Sequence, residues 1–422
     1  MEKKIKILTI SDMPFSPSGV GTQTRYIIEG MLKTGKYEFI SLGGAMKHHS
    51  HQPIKTEEFG DSWIVYPVDG YGTQEIVRSL IRTHKPDILW FMTDPRFWGW
   101  LWEIENEIRP LVPMIYYHVW DNYPYPTYNK KFYESNDYIA CISKVTDDIV
   151  KTVAPDVKSI YIPHAVDTDV FNKQDKDSIE VFAKNSFGEN YDPNKFIFFW
   201  NNRNARRKQS GSLIFWFKAF LDKVGKDKAV LLMHTDVKDI HGQDLEVIIK
   251  ELDLTNGEVM FSQQKIDPSV LSKLYNMADC TISVSDAEGF GLSTLESLAC
   301  ETPIMVTMTG GLQEQVTDGK EWFGIGMKPT SKAVIGSQEI PFIYEDRLSE
   351  KTVVDAMTEM YKMSKKERTN LGKKGRKHVL ENYNFKDYIS KWDELFSTVY
   401  DEMGSWDKRK PYNNRWVLKE IV

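Results

Sequence analysis

Short apolar runs rich in β-branched and aromatic residues recur along the chain, each followed by a longer stretch with the spacing of a helix that buries one face. The runs fall at 5–10, 38–42, 63–66, 88–92, 114–117, 138–142 and 160–162, and a second series follows at 196–200, 230–234, 259–261, 280–285 and 304–307. Continuous apolar strands alternating with helices are the pattern of parallel sheets covered on both faces, so the fold class expected is α/β. Between the two series, about 163–194, the text turns polar and irregular, with "KQDKDS" and "GENYDPN", and reads as a connection. Near the end, Tyr388, Trp392, Leu395, Phe396 and Val399 share one face of a helix over about 384–403, expected to pack back across both halves. Two open α/β sheets that face each other gather their strand carboxyl ends around one cleft, where ligands bind.

A length of 422 residues exceeds what one hydrophobic core serves and implies two or three domains. With 41% hydrophobic and 27% charged residues and a formal net charge of -6, the chain reads as an ordinary globular enzyme. It lacks the basic surplus that concentrates polyanions, so the net charge does not indicate DNA as a partner. Cys141, Cys280 and Cys300 are far apart in apolar surroundings, which suits core positions in a reducing compartment. The apolar stretch before Ser11 and Asp12 is too short for a signal peptide, and no run approaches the roughly 20 apolar residues of a spanning helix. The expectation is a cytoplasmic protein, with peripheral membrane contact left open.

The segment 280–311, "CTISVSDAEGFGLSTLESLACETPIMVTMTGG", carries the most chemistry. A strand ends near Ser285, a loop holds Glu288, Gly289, Phe290 and Gly291, and a helix starts near Leu292. Glycines let a ligand approach the backbone, and the N–H groups of Phe290, Gly291 and Leu292 at a helix start form an anion site suited to a diphosphate. Glu288 lies before this helix and Glu296 one turn inside it, so two carboxylates flank the anion site and can accept hydrogen bonds from hydroxyls. Taken singly, each has a plainer reading, Glu296 as a helix-dipole partner and Glu288 as a solvated loop residue.

The spacing of Glu288 and Glu296, with the seven residues "GFGLSTL" between them, resembles the paired-glutamate motif of retaining GT-B glycosyltransferases, and more narrowly glycosyltransferase family 4 (group 1). Pro303 and "TGGLQEQV" at 309–316 continue the likeness, which runs from the Gly19 loop to the terminal helix. The resemblance implies two Rossmann-like doubly wound domains facing a central cleft: 1–170 for the acceptor, 171–385 for the nucleotide-sugar donor, and 386–422 as a helix and tail packing back on the first. It implies a retaining, metal-independent transferase with no cofactor, using a nucleotide sugar such as a UDP- or GDP-sugar. The acceptor is a glycan, a lipid or a small molecule.

Other motifs acquire roles from the same likeness. In "NNRNARRKQSG", Arg203 and Lys208 match the family's arginine and lysine that meet the leaving diphosphate; Arg206 and Arg207 receive no role, and Gln209 stands where the family has glycine. Gly19 and Gly21 open a helix after the first strand, as in a phosphate and acceptor loop; no G-x-G-x-x-G is completed, which ranks nicotinamide binding low. His118 ends a strand where the family places a histidine beside the donor sugar, and Asp121 follows as a loop carboxylate able to orient an acceptor.

Two decoys are set aside. Asp167-Thr168-Asp169 lies in "IPHAVDTDVF" and resembles the family's hinge, while His48, His49 and His51 lack a carboxylate or cysteine partner. Aromatic residues crowd 90–102 and 116–128, where core packing and acceptor stacking are equally open, and the basic stretch 365–378 reads as a solvated helix face. Two competing functions stay open: transfer to a modified DNA base, and a two-lobed nucleotide-sugar binding protein without turnover.

Overall fold

The computed structural model describes residues 3–188 and 191–410. The first series of apolar runs forms β1 Ile5–Asp12, β2 Tyr37–Gly44, β4 Trp63–Pro67, β5 Ile88–Thr93, β6 Met114–His118, β7 Tyr138–Cys141 and β8 Ser159–Tyr161; β3 Ile54–Lys55 is a short polar addition. They make one sheet in the order β3-β4-β2-β1-β5-β6-β7-β8, parallel except for β3. The second series forms β9 Phe196–Asn201, β10 Ala229–His234, β11 Val259–Ser262, β12 Cys280–Ser283 and β13 Ile304–Thr307, joined by β14 Gly324–Met327. Their order is β11-β10-β9-β12-β13-β14, parallel throughout. Each sheet reverses its winding beside its first strand, between β1 and β5 and between β9 and β12. Those switch points are where strand carboxyl ends splay to admit a ligand.

Two features depart from the sequence expectation. The connection at 163–194 contains a helix, Lys176–Phe187, started by Asp175, whose side chain accepts the Ser178 N–H at 3.0 Å, and burying Ile179 and Ala183. Only two of its faces' residues are buried apolar groups, so its periodicity is masked by charge. The antiparallel hairpin of β15 Ser331–Ile335 and β16 Ile343–Arg347 was also not expected, because its short strands mix apolar with charged residues and bury only Glu345. It projects onto the first half: the Tyr344 N–H donates to the Tyr123 carbonyl at 2.6 Å and Asn122 Nδ2 to the Tyr344 carbonyl at 2.6 Å.

The last helix, Phe385–Met403, is capped by Asn384 and crosses back to the first sheet, burying the five apolar residues that its periodicity marks. Trp392 is fully buried, 6.0 Å from the Trp90 ring and 4.8 Å from that of Tyr117. Lys158 and Tyr138 of the first half both meet Glu402, each at 2.6 Å. Residues 411–422, the tail of the segment expected to pack on the first half, lie outside the described residues. The three cysteines are free and buried, and among the described residues no helix is long and apolar enough to cross a membrane.

Emptying the Trp392 site removes a large ring from a sealed contact. Trp392→Ala should cost roughly 3–5 kcal/mol, measured as a lowered midpoint of denaturant unfolding with intrinsic fluorescence. An unchanged midpoint would show that the terminal helix does not anchor the first half.

Candidate functional site

The loop between β12 and the helix Leu292–Ala299 crosses the gap between the sheets. Gly291 starts that helix at φ 96°, a left-handed conformation that favours glycine, and no side chain caps the helix. The first N–H groups of such a helix have no carbonyl partner within it, so its start is open to an anion. The Gly311 N–H holds the Glu288 carbonyl at 3.0 Å, and a Cβ on Gly310 would drive into that same carbonyl. A Cβ on Gly289 would come 3.2 Å from Ile142 and 3.4 Å from Val119, both of the first half, and one on Gly19 would lie 3.0 Å from Leu292. A glycine of each half therefore lies against side chains of the other at the loop.

Glu288, its side chain 13% exposed, forms a close ion pair with Lys208, with Arg207 Nη1 3.7 Å away. Burial works to raise the Glu288 pKa, and the Lys208 and Arg207 charges with hydrogen bonds from Lys208 and Ser285 outweigh it, holding Glu288 below the usual range. Lys208 is lowered, by burial first and then by Arg207, against the pull of Glu288. Arg207 also donates to the Ala287 carbonyl at 2.5 Å and stands 4.0 Å from Asp121. Burial, together with Glu288 and Asp94, raises Asp121, against the charges of Arg207 and Lys208. Gln209, the residue in place of the family's glycine, adopts φ 57°; its Nε2 donates to Asp286 at 2.6 Å and its Oε1 accepts from Ser212 at 2.6 Å.

Glu296 accepts from the Tyr275 hydroxyl at 2.7 Å, and that hydroxyl accepts from Asn201 Nδ2 at 2.8 Å, which ties the glutamate to the carboxyl end of β9. Burial pushes the Glu296 pKa up to about 7. Beyond the strand ends, Asn202 Nδ2 and Thr235 Oγ1 are buried polar atoms with no hydrogen-bond partner, next to β9 and β10. Buried polar atoms are almost always paired, so these two suit a ligand held over the strand ends.

Several expected residues stand together here: Glu288, Lys208, Phe290, Gly291, Leu292 and Glu296 around the helix start, with Gly19 facing Leu292. Phe290 offers its backbone, since its ring is buried against His164 and Tyr383 at 5.1 and 5.7 Å. Gly21 serves the local turn: a Cβ there would strike Ser16 and the Met13 carbonyl, and its N–H donates to Ser18 at 2.9 Å.

Two of the expected residues stand apart from this group. Arg203 does not join the cluster; its side chain is 61% exposed and grips Asp239 at 2.6 and 3.1 Å, and Arg207 occupies the cationic position beside Glu288. His118 does not reach the cleft: its ring is fully buried, Nδ1 3.0 Å from the Tyr116 hydroxyl and Nε2 2.9 Å from that of Tyr133, and burial lowers its pKa to about 3. Strand alternation carried that signal, because Met114, Tyr116 and His118 share one face of β6. Both Asp167 oxygen contacts are local, to the Asp169 and Val170 N–H groups at 3.0 and 3.2 Å.

Sequence reasoning gave no role to Glu314, two residues before the end of "TGGLQEQV". Its carboxylate accepts the Lys144 N–H at 2.7 Å, at the start of helix Lys144–Val153 of the first half, and the Tyr161 hydroxyl at 2.6 Å. A carboxylate at a helix start is favoured by the dipole, and this one fastens the two halves beside the loop.

Comparison with known proteins fits this arrangement. Residues 192–378 match the family described as Glycosyl transferases group 1. The chain is 21% identical over 269 residues to the N-acetyl-alpha-D-glucosaminyl L-malate synthase of Bacillus anthracis, a match that covers 63% of this chain and 61% of that protein. A shorter stretch of 68 residues is 38% identical to a D-inositol 3-phosphate glycosyltransferase of Acidothermus cellulolyticus, covering 16% of this chain and 15% of that one. Among solved structures, sucrose-phosphate synthase from Thermosynechococcus elongatus superposes with a TM-score of 0.75 at 16% identity, covering 94% of this chain and 100% of that one. Anabaena HepE in complex with UDP and glucose gives 0.67 at 13%, covering 93% and 100%. The fold is GT-B, with two Rossmann-like halves.

The raised Glu296 pKa has a stability consequence. Its folded value of about 7 exceeds the ordinary 4.5, so its contribution is fully present below about 4.5 and is lost as pH rises through about 7. Glu296→Gln should therefore lose less thermal stability than the wild type between pH 5 and pH 8. Parallel melting curves at both pH values would show an unchanged difference if the carboxyl group titrated normally.

Proposed function

We propose that the protein is a retaining, metal-independent glycosyltransferase of family 4 that moves a sugar from a nucleoside-diphosphate sugar to an acceptor hydroxyl. Residues 1–170 hold the acceptor and 171–385 the donor, and the free, buried cysteines suit work in the cytoplasm. The observation that carries this reading is Lys208 and Arg207 beside Glu288 at an uncapped helix start, on the switch point of the second sheet. As the bond between the anomeric carbon and the diphosphate oxygen breaks, its electron pair leaves with the phosphate. Lys208, Arg207 and the helix N–H groups neutralise that charge in a site closed by both halves, where fixed donors act most strongly. The acceptor oxygen bonds to the anomeric carbon on the same face, and its proton passes to the departing phosphate oxygen. With Lys208 drawn to the diphosphate, Glu288 is released to accept hydrogen bonds from the sugar, while Glu296 with Tyr275 receives the ribose hydroxyls.

The test is nucleotide release from UDP-, GDP-, ADP- and dTDP-sugars with a panel of acceptors. Glu288→Ala and Lys208→Ala should each lower turnover by about 10²–10³ with the fold retained by circular dichroism. Arg207→Ala should fall further than Arg203→Ala, whose guanidinium is occupied by Asp239. Full activity in the Glu288 and Lys208 variants would overturn the assignment. Turnover lost on chelation and restored by a divalent ion would overturn the metal-free part alone.

A further inference from the structure

The first sheet has its own switch point, and it faces the donor loop. Three adjacent strands, β1, β5 and β6, each deliver an aspartate at or just beyond their carboxyl ends: Asp12, Asp94 and Asp121. Asp121 abuts the donor side, since Cβ atoms on Gly310 and Gly289 would come within 3.6 and 4.0 Å of its own Cβ. Asp12 accepts from the Tyr71 hydroxyl at 2.8 Å, and the Tyr71 ring lies 5.3 Å from that of Phe97. Phe97 is 44% exposed, whereas Trp90, Phe91, Trp98 and Trp102 of that aromatic stretch are buried and Trp100 is half-buried. Arg96 lies 5.8 Å over the Phe97 ring, and its guanidinium is held at 2.9 and 3.0 Å by both oxygens of Asp94. The wall across from the donor is thus an exposed ring flanked by carboxylates, and its own cation is already matched.

Resting on the glycosyltransferase reading, we propose that this wall is the acceptor subsite and that it takes an uncharged, polyhydroxylated ring, a sugar or cyclic polyol, in preference to a phosphorylated one. Carboxylates accept hydrogen bonds from hydroxyls, and an exposed aromatic ring covers the apolar face of a sugar. Arg96 is taken by Asp94, and Arg207 on the donor side is already shared between Asp121 and Glu288, so the aspartates of this wall disfavour a phosphate monoester, and a cleft focuses that effect. Asp121, nearest to Glu288 and Arg207, orients the attacking hydroxyl, and Phe97 and Asp94 set the ring's position. The acceptor would then differ in charge from the D-inositol 3-phosphate and L-malate in the relatives' names.

The experiment has two arms. Thermal shifts with UDP, GDP, ADP and dTDP first establish which nucleotide the wild-type protein binds; if none raises the melting temperature, the glycosyltransferase reading fails and this inference falls with it. With that nucleotide saturating, saturation-transfer NMR titrations compare methyl glucoside with glucose 6-phosphate, and myo-inositol with D-inositol 3-phosphate. At least one neutral member should bind about tenfold or more tightly than its phosphorylated partner. Phe97→Ala should weaken that binding roughly fivefold to tenfold without altering the nucleotide's thermal shift. Equal or tighter binding of the phosphorylated members, no binding by any of the four, or unchanged affinity in Phe97→Ala overturns the inference while leaving the donor assignment standing.

Discussion

Everything in the cleft depends on a backbone approach that only glycine allows. The Glu288 carbonyl is packed against the Gly310–Gly311 turn so tightly that a Cβ on Gly310 has no room, and Gly289 lies against Ile142 and Val119 of the other half. That contact fixes where Glu288 stands, and Glu288 in turn holds Lys208, a lysine whose charge is costly to bury without a partner. The opposed charges therefore stay ionised inside a cleft that neither half could close alone. Glu314, on the helix that follows the same glycine turn, fastens the first half through the Lys144 N–H and the Tyr161 hydroxyl. One short segment, 288–314, thus sets the cleft's width, its charge and the start of the uncapped helix Leu292–Ala299.

Much of this was legible because the fold is written in long, strongly apolar strands. The runs at 88–92 and 304–307 are buried on both faces, and such strands leave no ambiguity of pattern. The terminal helix was equally clear, since its five buried apolar positions fall on one face. The hairpin Ser331–Ile335 with Ile343–Arg347 was not legible, because its apolar residues are interrupted by charge and it is held by ion pairs from Arg206 to Glu345 and from Arg347 to Asp286, which leave no periodicity. The helix Lys176–Phe187 was hidden for the same reason.

At the site, spacing located the turn but not the side chains within it. Arg203 and Arg207 are equally cationic in the text, and what separates them is Asp239, a residue of another loop that takes Arg203 away. His118 packs inside the first half, on the β6 face that it shares with Tyr116 two residues earlier. The unpartnered Asn202 and Thr235 atoms could not have been found in sequence, since being unpaired is a property of the folded surroundings.

The central claim is that the cations beside Glu288 hold a diphosphate, and calorimetric titration of nucleotides measures this most directly. For the nucleoside that binds best, the diphosphate should bind the wild-type protein at least about tenfold more tightly than the monophosphate, a difference of roughly 1.4 kcal/mol. That preference should disappear when Arg207 and Lys208 are both replaced by glutamine. Equal affinities for the two nucleotides in the wild type, or a preference that survives the double replacement, would contradict the account.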